Sequence, residues 1–168
     1  FQFMNIVGAE IFVFHGGKAD KGKDFYCERY SKLYRLGKEF GVTVAVENVT
    51  RCQSRSSAFI RDISSILGNE FAFVLDTKQA IRAGETPFAF LDAAGKNVVH
   101  VHISDSGELG DCLPIGRGNF RFKPFLEKLH SLNPDASVIL ELYRSGFSSI
   151  SELVSSYNIL TKMAEPFA

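Results

Sequence analysis

Five short apolar runs recur along the chain, and segments of helical period fill the intervals between them. The runs are "EIFVFHGG" at 10–17, "VTVAVEN" at 42–48, "FAFVLDT" at 71–77, "NVVHVHISD" at 97–105 and "SVILELY" at 137–143. Helical patterning covers 24–41, 56–68, 86–95, 123–130 and 148–164, and Gly41, Gly68 and Gly95 close three of these segments. Near-continuous apolar strands alternating with helices predict an α/β fold, a parallel sheet covered by helices.

Alternate residues of a strand face opposite sides, so parity separates two faces. Val42, Val44 and Val46, then Phe71, Phe73 and Leu75, Val99, Val101 and Ile103, and Val138, Leu140 and Leu142 fit a helix-packed outer face. The other face carries Ile11, Val13 and His15; Thr43, Ala45 and Glu47; Ala72, Val74 and Asp76; Val98, His100 and His102; and Ser137, Ile139 and Glu141. Smaller residues lead to a functional group each time. That is the pattern of a TIM (β/α)8-type barrel, packed inside by side chains and carrying its chemistry at the carboxyl ends of the strands.

The strand ends at 15, 47, 76, 102 and 141 are spaced as βα units, but they number five. A closed barrel has eight strands and about 250 residues, whereas this chain has 168. The expectation is one partial barrel domain over residues 1–168, in which strands 3 to 7 are readable and the amino-terminal βα units are absent. "FQFMNIVGAE" fits this, reading as the tail of an amphipathic helix with Phe3, Ile6 and Val7 apolar before Gly8. The chain is expected to be a fragment of a longer parent, with strand edges that favour homo-oligomers.

Nineteen basic and nineteen acidic residues cancel, so no global field draws nucleic acid or an anionic membrane. No apolar run approaches the roughly 20 residues of a membrane span. Cys27, Cys52 and Cys112 are odd in number and widely spaced, which points to free thiols and a cytoplasmic setting.

Glu47, Asp76 and Glu141 would crowd three negative charges beside His102 in a partly buried mouth, an unfavourable arrangement unless a cation neutralises them. One divalent metal ion is the economical answer. Three carboxylates and one imidazole favour Mn²⁺ or Mg²⁺ and admit Zn²⁺ or Co²⁺.

The same residues carry a resemblance. "FHGG", "AVENV", "VLDTKQA", "HVHISDS" and "ILELY" are similar, in order, to the third to seventh strands of the sugar phosphate isomerase/epimerase family, and "LPIGRGNFRF" resembles its loop after the sixth. These are xylose isomerase-like TIM barrels, a superfamily that includes apurinic endonucleases of the endonuclease IV type (AP endonuclease family 2). The resemblance implies that Glu47, Asp76, His102 and Glu141 bind one divalent ion. It also implies a metal-dependent isomerase or epimerase acting on a small sugar or sugar phosphate, in which Glu47 and Glu141 are the catalytic pair. Glu47 and Glu141 lie on strands three apart, so one can remove a proton and the other return it through an enediolate.

Two alternatives remain: a metal-dependent phosphodiesterase of the endonuclease IV type, and a barrel remnant that binds sugar or a partner without turnover. The endonuclease reading is disfavoured because Gln79 stands where a histidine often follows the strand-end aspartate, and because no acid-x-histidine pair follows Asp105. His15, Gln79 and Arg117 are candidate substrate contacts. Asp105 is expected to orient His102 or a ligand water from behind, with capping of its own loop as the alternative. Lys78 reads as a structural ion-pair residue of opposite parity, His100 as a hydrogen-bonded core histidine, and His130 as surface.

Overall fold

The computed structural model describes residues 1–17 and 21–167. Its strands are β1 (Ile11–Phe14), β2 (Thr43–Glu47), β3 (Phe73–Asp76), β4 (Val98–Ile103), β5 (Asp105–Gly107), β6 (Gly110–Leu113) and β7 (Ser137–Leu140). Its α-helices are α1 (Gln2–Ile6), α2 (Lys23–Glu39), α3 (Ser57–Leu67), α4 (Thr77–Arg82), α5 (Pro87–Ala94), α6 (Phe122–Leu132) and α7 (Ile150–Ala164).

Five strands form one sheet in the order β1-β2-β3-β4-β7, parallel throughout. Parallel neighbours need a long crossover, and the helices supply it. The result is a parallel half-barrel of TIM-barrel type, five strands against the eight of a closed one. Local chemistry sets the element ends. The Thr86 hydroxyl accepts from the Ala89 N–H and Pro87 occupies the first turn of α5, while Gly41 takes a φ of 69° to turn the chain from α2 into β2.

The main core lies between the sheet and its helices. Val44, Val46, Phe73, Leu75, Val101 and Ile103 meet Tyr30 of α2, Ile60 and Ile63 of α3, Phe90 of α5 and Phe125 of α6, all buried. Each such side chain contributes about 2 kcal/mol through burial. The opposite face holds a smaller cluster of Ala45, Ala72 and Val74, with Ile11, Val13 and Val99 half-buried around it.

One pair departs from simple parity. Val98 packs in the helix-side core and Val99 in the small inner cluster, the reverse of the alternation inferred from His100 and His102. The register between β3 and β4 slips there: Phe73 pairs with Val98, but Val74 pairs with His100. An extra residue in one strand resets which face the following side chains take. α4 and the antiparallel hairpin of β5 and β6 were not anticipated from the apolar pattern. α1 does fall in the segment read as helical, yet Phe3, Ile6 and Val7 on it and after it are exposed.

Candidate active site

β2 delivers Glu47 as its last residue and β3 delivers Asp76, which pairs in register with His102 of β4. Glu141 follows β7 directly, its N–H donating to the Ile103 carbonyl at 3.0 Å. Each of the four offers a ligand atom, and these atoms lie within 4.8 Å of one another. Glu47 and Asp76 are buried; His102 and Glu141 are half-buried. The cluster lines a cavity of about 460 Å³ together with His15, Thr50, Arg51, Lys78, Gln79, Arg82 and Tyr143.

Short contacts hold the cluster together. His102 Nδ1 lies 3.0 Å from Glu47 Oε1 and 3.3 Å from Glu141 Oε2, and His15 Nε2 lies 2.9 Å from Glu47 Oε2. Asp76 caps α4, accepting the Gln79 N–H on Oδ1 at 2.9 Å. Its Oδ2 faces Lys78 Nζ at 3.0 Å, and the same ammonium reaches Glu141 Oε2 at 3.0 Å.

Burial and charge compete in this group. Burial pushes Asp76 up to about 6, although the Gln79 N–H and Lys78 pull against it. Burial also acts to lower His102, but hydrogen bonds and charge from Glu141 and Glu47 outweigh it and raise the imidazole to about 9. The His102 hydrogen bond, reinforced by Lys78, draws Glu141 down to about 2 against burial. Burial likewise opposes the Lys78 charge, and Asp76 and Glu141 more than restore it, raising its pKa. The carboxyl groups of Glu47, Asp76 and Glu141 thus converge on one imidazole and one buried lysine. A hard dication fits this donor set, since the carboxylates supply charge and the imidazole becomes a ligand when it releases its proton.

Other anticipated residues divide. His15 and Gln79 line the cavity, and the Gln79 amide oxygen accepts from the Thr50 N–H and hydroxyl at 3.1 and 2.8 Å. Arg117 is not brought there: it pairs with Glu152 at 3.0 Å, and both line a separate hollow with Leu113 and Phe147. Asp105 also serves another purpose than the one expected. Its carboxylate accepts the backbone N–H groups of Ser106, Gly116, Gly118 and Phe120, at 2.8 to 3.1 Å, and so organises the glycine-bearing loop. No contact joins it to His102 among the described residues; with four N–H donors on its two oxygens it acts as the loop's cap. His100 bonds Ser137 Oγ at 2.7 Å, and His130 is exposed against Phe167.

Three supporting residues were not identified from the sequence, and a fourth, Lys78, was read there as an ion-pair residue, which its 3.0 Å contact with Asp76 bears out. Asn48 is buried and bonds the Asp76 backbone twice, accepting its N–H at 2.7 Å and donating to its carbonyl at 2.9 Å, which locks the ends of β2 and β3 together. Tyr143 sets its ring 4.6 Å from Lys78 Nζ. Cys112, a buried free thiol at a φ of 57°, lies against the Glu141 carbonyl and accepts the Tyr143 N–H at 3.3 Å. Lys78 itself is 2% exposed and belongs to the site. The position of Asn48 directly after a strand-end acid was the signal available; the others depend on the turn geometry after each strand.

Comparison with known proteins agrees with the fold. The chain is 24% identical over 143 residues to MJ1311, an uncharacterised protein of Methanocaldococcus jannaschii, covering 80% of this chain and 47% of that one. It superposes on a D-tagatose 3-epimerase-like protein with a TM-score of 0.75 at 20% identity, covering 99% of this chain and 66% of the other. IolI, solved with a bound zinc atom, gives a TM-score of 0.73 at 16% identity, with 99% and 67% covered. The chain thus spans about half of the curated relative and about two thirds of these structures. The model of the xylose isomerase-like TIM barrel family matches residues 1–162, and the chain belongs to that family.

Proposed function

We propose that the protein is a metal-dependent isomerase or epimerase of a small sugar or sugar phosphate. The observation that carries this reading is the convergence of Glu47, Asp76, His102 and Glu141 within 4.8 Å at the strand ends, in a cavity large enough for a monosaccharide. The epimerase-like fold neighbour and the zinc-bound IolI structure support it. A divalent ion held by these four residues would polarise a substrate carbonyl, with Mn²⁺ or Mg²⁺ favoured by the carboxylates and Zn²⁺ or Co²⁺ admitted by the imidazole.

The chain's own residues would move the proton. Glu47 and Glu141 come from β2 and the end of β7, with β3 and β4 between them, so their carboxylates flank the cavity floor. One takes the proton from the carbon beside the carbonyl, and the other returns a proton to the intermediate. His15 and His102 hold the two Glu47 oxygens, fixing its orientation. His15, Gln79 and Arg51 at the cavity wall are placed to meet substrate hydroxyls.

The test is solvent deuterium incorporation into a panel of ketoses and ketose phosphates by the full-length protein loaded with Mn²⁺. Glu47→Gln and Glu141→Gln should each lower exchange by about 10²-fold or more. Undiminished exchange in both variants would remove the pair from the mechanism. A multinuclear zinc content with cleavage of abasic DNA would instead favour the phosphodiesterase.

A further inference from the structure

Lys78 is the unusual member of the site. A fully buried lysine is rare unless paired, and this one sits on the first turn of α4, two residues after a proposed metal ligand. Its ammonium lies 3.0 Å from Asp76 Oδ2 and 3.0 Å from Glu141 Oε2, under the Tyr143 ring. Asp76 Oδ1 already accepts the Gln79 N–H, which leaves Oδ2, the oxygen facing the ammonium, as the less committed of the two. An ion ligated by carboxylates sits about 2.0–2.6 Å from their oxygens, so an ion bound through Asp76 Oδ2 or Glu141 Oε2 must share or take an oxygen that the ammonium now holds.

We propose that Lys78 is a resident cation of this site, neutralising the carboxylates in the metal-free protein and competing with the divalent ion for Asp76 and Glu141. The inference rests on the metal-site reading above. Its consequences are two: the fold tolerates loss of its metal, and the metal affinity is set lower than four such ligands would otherwise give. Lys78 borders the cavity, and its side chain has four rotatable bonds, so the ammonium can turn from the pair into that space while the backbone stays capped by Asp76.

The experiment is calorimetric titration of the full-length, metal-stripped protein with Mn²⁺, together with thermal unfolding with and without saturating Mn²⁺, for the parent, Lys78→Met and Lys78→Arg. The Met variant should bind Mn²⁺ about tenfold tighter or more, because a positive charge beside the ion is removed, whereas the Arg variant should stay at or below the parent. Without metal the Met variant should melt below the parent, and saturating Mn²⁺ should close that gap. A purely structural lysine would lower both melting temperatures alike. Lys78→Gln is read in the same way if the Met variant does not fold. Equal or weaker Mn²⁺ binding by the neutral variants would overturn the competition while leaving the metal site standing. Failure of every protein, parent included, to bind Mn²⁺ would overturn both.

Discussion

At the scale of single residues, two buried acids of similar appearance do opposite work. Asp76 presents one oxygen to the site, whereas Asp105 gives both of its oxygens to the backbone N–H groups of its own loop. Removing the latter strands several donors at once, and each buried unsatisfied donor costs about 1–3 kcal/mol. Asp105→Ala is therefore expected to lower stability by roughly 2–4 kcal/mol in urea unfolding; a loss below about 1 kcal/mol would mean that water replaces the carboxylate. Gly118 belongs to the same arrangement, since a Cβ there would fall 2.3 Å from the Ser106 carbonyl oxygen and 2.5 Å from Asp105 Oδ1. The four proposed ligands could be picked out in sequence because Glu47, Asp76, His102 and Glu141 share the alternation of their strands. Lys78 was legible as an ion-pair residue but not as one that enters the site, because it lies beyond β3 and its direction is set by the first turn of α4 rather than by the pleat.

At the scale of elements, α2 and the first strands depend on one phenol and one glycine. The Tyr30 hydroxyl donates to the Val44 carbonyl at 2.7 Å and accepts the Ala72 N–H at 3.1 Å, bridging β2 and the approach to β3. Tyr30→Phe should cost about 1–3 kcal/mol by leaving both backbone groups buried and unpaired, measurable as a shift in urea midpoint with an unchanged slope. Gly37 sits inside α2, where alanine ordinarily gains about 1 kcal/mol. Here a Cβ would lie 2.8 Å from the Val42 carbonyl oxygen and 2.8 Å from Val44 Cγ2, and overpacking of this kind costs about 1–3 kcal/mol. Gly37→Ala is thus expected to destabilise; a rise in melting temperature would show that α2 can lift off β2 freely. The five strands of the sheet and five of the helices were legible because their apolar periods are distinct, three of the helices being closed by glycine. α4 was hidden by brevity and by a cap that is itself a site residue, and the β5–β6 hairpin by its turn-like composition, "DSGELGDCL". The bulge at Val98 left no mark in the pattern, since valine suits either face.

At the scale of the whole molecule, the parallel sheet has two unpaired margins among the described residues: there β1 pairs only with β2, and β7 only with β4. In a closed barrel these margins meet other strands, and the small residues between them become a sealed interior. Here the inner face stays open at its rim, with Ile11 and Val13 half-buried and Ile139 of β7 51% exposed. Unpaired N–H and C=O groups beside exposed apolar side chains invite pairing with another strand. The 168-residue chain is therefore expected to self-associate, its light-scattering mass rising with concentration. Ile139→Lys should weaken that association, because a charge on an edge strand resists desolvation and like charges would meet across a pair of such edges. A mass that stays at one chain across the concentration range would show that these margins are already protected. Association unaffected by Ile139→Lys would move the contact to β1 or to the exposed apolar residues of α1.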